Sequence, residues 1–456
     1  MSKLNYSRRM GHSLRVVSGF RPIKPSGCEK MLSTRPNLAT PSPPKNTNGG
    51  NSNMRAISLI GGVSLLVGGR LFLGDTLAES VEDFKQSFLQ ASGFGFSLKT
   101  LELSKDAEVT VSPMYHDMEA YIKSLQLRIT SAIEDLEKRT QPRSLLSSSS
   151  PPAKFIHDHW LRQNDGGEGI TCVISDGNVI EKGGVNVSVV HGMLPPNAVQ
   201  QMRANHSALS SVGPGVSLPY SVCGLSLVLH AKNPKAPTAH MNVRYFETYD
   251  PKDPSKPLAS WFGGGLDLTP SYLYEEDAEH FHGVVKNACE GHGKDIYPSY
   301  KTWCDEYFFL PHRGEARGVG GIFFDDLDEK SAKAKSNGVQ PTKEEIFDFV
   351  KSVGDSFVPA YVPILEKRWK LPYTPEQWRW QQIRRGRYAE FNLVIDRGTK
   401  FGLMTPGARI ESILMTIPLT ARWEYCSELG EQGTEEGRLM EVLREPREWL
   451  KAEESN

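Results

Sequence analysis

Gly224-Leu-Ser-Leu-Val-Leu-His230 and, one connection later, His240-Met-Asn-Val-Arg-Tyr-Phe246 both alternate with a period of two. In the first run Leu225, Leu227 and Leu229 point one way, and Ser226, Val228 and His230 the other. In the second, His240, Asn242 and Arg244 share one face, with Met241, Val243 and Tyr245 opposite. Half-buried strands of this kind suit an antiparallel sheet that lays one apolar face on a core. Similar alternation recurs at 171–174, 185–190, 319–324 and 388–395. Helical patterns at 275–290, 297–309, 342–369 and 406–417 come in pairs rather than one per strand, which disfavours a doubly wound parallel sheet. The expected class is α+β: one catalytic domain on a large antiparallel sheet covered by helices.

Outward from this region, two helix starts are readable. Thr342-Lys-Glu-Glu345 is a capping box ahead of Ile346, Phe349, Val350 and Val353. Thr405-Pro406 supplies an expected N-cap and N1 proline ahead of Ile410, Ile413, Leu414 and Ile417. An earlier helical stripe runs through Met118, Tyr121, Ile122, Leu125, Ile129, Ala132, Ile133 and Leu136, and a Ser-rich loop from Ser144 to Pro152 follows it. Residues 81–154 are thus expected to be an N-terminal helical region packed on a catalytic domain of 155–456.

The 456 residues carry a net charge of -1, which hides a division: residues 1–74 stand at +10 and the remainder at -11. So acidic a body argues against nucleic-acid binding, which needs clustered Lys and Arg. In the basic segment Arg8, Arg9, Arg15 and Arg21 alternate with Leu14, Val16, Val17 and Phe20, the pattern of an amphipathic import presequence. The apolar run from Ala56 to Gly69, broken by Arg70, is too short to span a bilayer but long enough for a cleavable sorting signal. Residues 1–80 are therefore expected to direct the chain to the mitochondrion, with the intermembrane space suited to a second signal. Membrane association is expected to be peripheral at most. Six dispersed cysteines without C-x-x-C exclude a zinc ribbon or a disulfide-dense scaffold.

Chemistry concentrates in three places. The first is the polar row of His, Asn, Ser and Arg on the two quoted strands. Taken one at a time such rows are ordinary solvent-facing residues; together, with one guanidinium, they suit a carboxylate substrate. The second is Trp261-Phe-Gly-Gly-Gly-Leu-Asp-Leu-Thr-Pro270, where three glycines permit close approach of a ligand or backbone and Asp267 faces away from Leu266 and Leu268. A glycine-rich turn capped by Asp267 is the bland alternative. The third is the basic set Arg384, Arg385, Arg387, Arg397, Lys400 and Arg409. There the amides of Gly407, Ala408 and Arg409, at an expected helix start, would receive a carboxylate. His230, His240, His282 and His312, with His280 and His292, show no H-E-x-x-H or other compact metal spacing. The residues alone point to an enzyme for a polycarboxylate ligand.

From Phe155 to Leu450 the motifs resemble those of the oxygen-dependent coproporphyrinogen III oxidases of haem biosynthesis. They are Glu181-Lys-Gly-Gly-Val-Asn186, Lys232-Asn-Pro234, His240 through Phe246, Trp261 through Gly265 with Asp267-Leu-Thr-Pro270, Gly320-Gly-Ile-Phe-Phe-Asp-Asp326, and Arg384 through Glu424. The resemblance implies conversion of two propionates of coproporphyrinogen III to vinyls, giving protoporphyrinogen IX. Molecular oxygen is then the co-substrate, with CO2 and hydrogen peroxide as products and no cofactor required. It also implies a sheet with helices on both faces and a homodimer joined through Ser175 to Gly184 and Tyr388 to Glu424. Ser226, Asn242, Val243, Arg244, Gly407, Ala408 and Arg409 match the family's substrate-binding segments. His240 matches its proton donor, and Asp267 a carboxylate set against the pyrrole nitrogens. Gly183 and Glu168 depart from the family pattern and touch no proposed role. His230, His240, His282 and His312 match the histidines treated as metal ligands in bacterial members, whereas eukaryotic members work without metal. A metal-dependent oxygenase acting on a polycarboxylate and a tetrapyrrole carrier without turnover stand beside the main reading.

Overall fold

A computed structural model of the chain describes residues 109–140, 151–162, 166–203, 209–210, 212–332, 339–405 and 407–450. The sorting segment expected over 1–80 and most of the Ser-rich loop lie outside the described residues. Seven strands form one sheet in the order β1-β2-β3-β4-β5-β6-β9, and every neighbouring pair is antiparallel. They are β1 (Ile156–Leu161), β2 (Gly167–Ser175), β3 (Ile180–Leu194), β4 (Leu218–Ala231), β5 (Thr238–Asp250), β6 (Asp253–Thr269) and β9 (Gly321–Leu327). The short strands β7 (Phe309–Leu310) and β8 (Glu315–Ala316) pair with each other.

The alternation sorts the two faces as expected. Leu225, Leu227, Leu229, Met241, Val243, Tyr245, Leu266 and Ile322 all enter one core. That core is closed by α1 (Pro113–Arg139), α3 (Glu275–Glu290), α5 (Lys343–Asp355) and α6 (Phe357–Arg368). The predicted stripe of α1 is buried at Met118, Ile122, Leu125, Ile129, Ile133 and Leu136, with Tyr121 and Ala132 half-buried at its edge, and each buried aliphatic side chain contributes about 1.5–3 kcal/mol relative to exposure. Two buried polar side chains fix where α1 sits. Gln126 donates to the carbonyls of Ile170 and Val185 at 2.8 and 2.7 Å. Glu137 accepts the backbone N–H groups of Asn178, Val179 and Ile180 in the β2–β3 turn. A short α2 (Pro196–Met202) and the aromatic run Tyr220, Phe246 and Trp261 form a smaller satellite cluster. On the sheet's other face lie α7 (Pro375–Glu390), a π-helical turn (Phe391–Ile395), α8 (Arg397–Met404) and α9 (Ile410–Leu414). Side chains from the strands bond this segment directly, so both faces are covered. Two further helices complete the description, α4 (Ile296–Tyr307) and α10 (Glu435–Arg444).

Three expectations are corrected and one alternative is set aside. The alternation at 388–395 is no strand: Tyr388, Phe391 and Asn392 stand three and four apart on the buried face of a helix that began at the Thr374 capping box. The helical pattern over 342–369 is two helices, broken at Ser356. The triple glycine is no turn but the interior of β6. There Gly264 packs under the Phe324 ring, and Gly265, with φ +157°, under the Ile322 carbonyl. Finally, Thr405 closes α8 instead of opening a helix. Its hydroxyl donates to the Phe401 carbonyl, and the next helix starts only at Ile410 and lasts five residues. Within the helix expected over 406–417 only Ile410–Leu414 is helical, after Gly407 at φ +70°.

Candidate active site

The strand register dictates which side chains meet. His240 is paired with Asp267, Asn242 with Ser226 and Gly265, and Arg244 with Gly224 and Gly263. All lie on the face turned away from the main core, and Val243, between two of them, is wholly buried in that core. Ser226, Asn242 and Arg244 are half-buried on this face.

Asp267 is 1% exposed and its carboxylate is fully engaged. One guanidinium nitrogen of Arg317, Nη2, donates to both of its oxygens at 2.9 and 2.8 Å. His240 Nδ1 meets Oδ1 at 2.8 Å. Burial pushes the Asp267 carboxyl upward. The charge of Arg317 and the hydrogen bond from His240 outweigh it and hold the group below the usual carboxylate range. An ionised Asp267 can only accept, so Nδ1 of His240 carries a proton and Nε2 is left as the acceptor, 3.4 Å from the Asn242 amide nitrogen. Arg317 itself is 2% exposed, and its guanidinium lies over the rings of Phe308, Tyr388 and Phe391 at 4.1, 4.5 and 4.8 Å.

A second charged group lies one register step away. Arg244 Nη1 donates to the Asn242 side-chain oxygen at 2.6 Å, and Nη2 pairs with Asp325 at 2.7 Å. Arg397, 67% exposed, approaches the other Asp325 oxygen at 3.7 Å. Beside it, half-buried Asp396 accepts from the Tyr307 hydroxyl at 2.8 Å and from Thr399. The arrangement therefore offers a histidine backed by a buried carboxylate, and next to it two guanidinium groups facing a half-open surface.

The structure does not bring every expected residue to this point. Of Gly407–Arg409, where three orphan amides were expected, the Ala408 amide donates to the Thr405 carbonyl, and Arg409, the N-cap of the short α9, pairs with Asp158 of β1. The segment that follows is docked on the sheet by Asn186 to the Ser412 carbonyl (2.6 Å), Lys182 to that of Ile417 (2.8 Å) and His230 to that of Thr416 (2.9 Å). His230 thus spends Nε2 on a carbonyl and Nδ1 on Thr238, and burial, with Arg385 nearby, pushes its pKa down to about 3. His282 bonds the Val319 carbonyl and the Tyr297 hydroxyl and is likewise pushed by burial to about 3. His312 is exposed beside Glu390. Among the described residues no three His, Cys, Asp or Glu side chains gather as a metal site, so the set His230, His240, His282 and His312 is not assembled.

Arg317, Asp325 and Asp396 escaped the sequence reading. Arg317 comes from the irregular stretch between β8 and β9, where no periodicity marks a face. The one available signal was a lone arginine in Gly314-Glu-Ala-Arg-Gly-Val-Gly320.

A family model described as coproporphyrinogen III oxidase matches residues 117–449. The chain is 53% identical over 315 residues to the mitochondrial oxygen-dependent coproporphyrinogen-III oxidase of Rattus norvegicus, covering 69% of this chain and 67% of that one. With the Drosophila melanogaster oxygen-dependent coproporphyrinogen-III oxidase the identity is 46% over 381 residues, 83% of this chain and 90% of that one. The chloroplastic enzyme of Glycine max is 50% identical over 308 residues, 67% of this chain and 75% of its own length.

Removing Arg317 tests the electrostatics of the pair. Arg317→Met leaves a buried carboxylate without its cation, and the expected loss at pH 8 is about 3–5 kcal/mol of stability. In the parent the depressed Asp267 pKa keeps its contribution constant above the ordinary carboxylate range. In the variant that pKa rises, the folded state takes up a proton, and the gap to the parent narrows as pH falls from 8 to 5. Denaturant titrations of both proteins across that range check this; a gap independent of pH contradicts it.

Proposed function

The chain belongs to the coproporphyrinogen III oxidase family, and from that premise we infer how its own residues carry out the reaction. The activity is the oxygen-dependent oxidative decarboxylation of coproporphyrinogen III in haem biosynthesis. For each propionate the balance is R–CH2–CH2–COO⁻ + O2 + H⁺ → R–CH=CH2 + CO2 + H2O2. Two electrons leave the substrate and reduce one O2. A porphyrinogen is electron-rich enough to serve as its own reductant, so neither flavin, haem nor metal is needed to carry those electrons. The protein has to seat the carboxylates, handle the protons and exclude water.

The observation that carries this assignment of roles is the His240–Asp267 pair backed by Arg317. Asp267 keeps His240 in the tautomer that presents Nε2, so His240 moves a proton at that atom while Asp267 stabilises the imidazolium. Arg244 takes a propionate, with Asn242 and Ser226 as neighbouring donors on the same face. Gly407–Arg409 contribute to the seat when Arg409 exchanges Asp158 for a substrate carboxylate. A carrier without turnover has no use for a buried acid, histidine and arginine in one chain of hydrogen bonds.

Two wider assignments belong to the same reading. The protein acts as a homodimer through 175–184 and 388–424. Supporting this, Leu393, Val394, Phe401, Met404, Leu419 and Trp423 of the second segment, with Ile410 between them, present exposed apolar side chains that a lone protomer leaves in water. It resides in the mitochondrion, in the intermembrane space, as the basic N-terminal composition and the rat relative's mitochondrial name suggest.

The function is tested by following oxygen uptake and CO2 release from coproporphyrinogen III, with and without oxygen and a chelator. One O2 per CO2, no anaerobic turnover and no effect of chelation are expected. Chelator-sensitive activity restored by a stoichiometric metal would favour the metal-dependent oxygenase. Tight binding without CO2 would favour the carrier. Sedimentation of the parent against Trp423→Glu, expected as dimer and monomer, checks the assembly. Fractionation of mitochondria, with the chain expected in the intermembrane space, checks the address.

A further inference from the structure

The strand β9 breaks its pairing with β6 at one point. Phe262 pairs with Leu327 and Gly264 with Phe324, so Asp325 and Asp326 together oppose the single residue Gly263. This is a β-bulge, and Asp326 sits in it at φ +52°, a left-handed conformation that Asp tolerates better than most residues. Bulges near active sites re-aim side chains, and this one turns the Asp325 carboxylate onto Arg244. Opposite it Gly263 leaves room for this pair: a Cβ there would stand 2.7 Å from the Arg244 guanidinium and 2.7 Å from the Asp325 carboxylate, and one of them would have to shift. Asp325 is further fixed by the Asp326 amide at 2.9 Å. A bulge, a left-handed Asp and a glycine thus converge on placing one carboxylate between Arg244 and Arg397.

We propose that Asp325 is a positioning residue that weakens the cationic hold on the reacting propionate so that CO2 can leave. The inference rests on the reading of Arg244 as a propionate seat. Arg244 and Arg397 bring two positive charges towards one substrate carboxylate, and Asp325 between them offsets one. The carboxylate's charge disappears from this seat as the C–COO⁻ bond breaks. Its electron pair closes the vinyl C=C bond as the neighbouring CH2 gives up one hydrogen as a proton and two electrons, and O2 takes these electrons, that proton and one more as H2O2, in the balance given above. An interaction that grips the carboxylate strengthens the ground state and is lost on the way to CO2, so excess positive charge slows the step it appears to serve. Asp325 acts through Arg244 and Arg397, and it opposes that excess.

The test is Asp325→Asn with coproporphyrinogen III at saturating oxygen, beside Asp325→Glu and Arg244→Ala. Neutralising one charge next to a half-exposed carboxylate seat is expected to lower both KM and kcat about tenfold, leaving kcat/KM nearly unchanged. Binding of coproporphyrin III, the oxidised and unreactive macrocycle, should tighten by the same factor. Asp325→Glu restores the charge and should return both constants towards the parent. If Asp325 merely holds Arg244 in place, Asp325→Asn raises KM and weakens coproporphyrin binding, and the proposal is overturned. Arg244→Ala separates the two levels. Undiminished coproporphyrin binding in that variant removes the propionate seat itself. Weakened binding there, with no tightening in Asp325→Asn, removes only the role of Asp325.

Discussion

A carboxylate and a guanidinium buried together on one side of a β-sheet set the terms for the rest of this site. Asp267 and Arg317 are each about 2% exposed, and taking such a pair out of water costs several kcal/mol per ion before their attraction offsets it. The pair is tolerable because both Asp267 oxygens are bonded and three aromatic rings surround the cation. A hydrophobic pair of the same volume would fold as well or better. What the ions provide is a fixed negative charge behind His240, which decides which imidazole nitrogen is presented.

That requirement propagates through the fold. Asp267 can reach His240 only because β5 and β6 are in a register that puts them opposite each other, and one step of slippage by β6 would turn Asp267 into the aliphatic core. The glycines at 263–265 let the neighbouring groups approach: the Arg244–Asp325 pair over the first, a Phe324 ring over the second, the β9 backbone over the third. Arg317 needs Tyr388 and Phe391 above it, which ties the helix α7 and its π-helical turn to the same point. The Asn392 side chain, on that turn, accepts from the other Arg317 nitrogen at 3.3 Å.

The sheet was legible in the residues because period-two patterning is a direct record of which side meets the core. Leu225, Leu227, Leu229, Met241, Val243 and Tyr245 lie in that core, and His240, Asn242, Arg244 and Asp267 share the opposite face. Reading failed where two periods overlap over a short span. At 388–395 every second residue looks alike, but burial follows Tyr388, Phe391 and Asn392 at helical spacing. It failed again at Thr405-Pro406, where the local signal for starting a helix was sound but the hydroxyl bonds backward to Phe401. Arg317 and Asp325 were invisible for another reason. Their roles come from a loop and a bulge, whose geometry is set by tertiary contacts and leaves no periodic trace. The two carboxylates that matter most to the electrostatics, Asp267 and Asp325, differ in this respect alone: one sits in register, the other is re-aimed out of it.

If Asp267, Arg317 and His240 work as one electrostatic unit, their effects on turnover cannot add. The decisive measurement is a kcat double-mutant cycle of Asp267→Asn, Arg317→Met and the double variant, each checked for native fold. Either single substitution should cost roughly 10²–10³-fold, the range for a lost preorganised partner. The double variant should be no slower than the worse single one, since the second change removes a group with nothing left to pair. Effects that multiply, so that the double variant loses the product of both factors, would mean the two residues serve separate ends and would contradict the account.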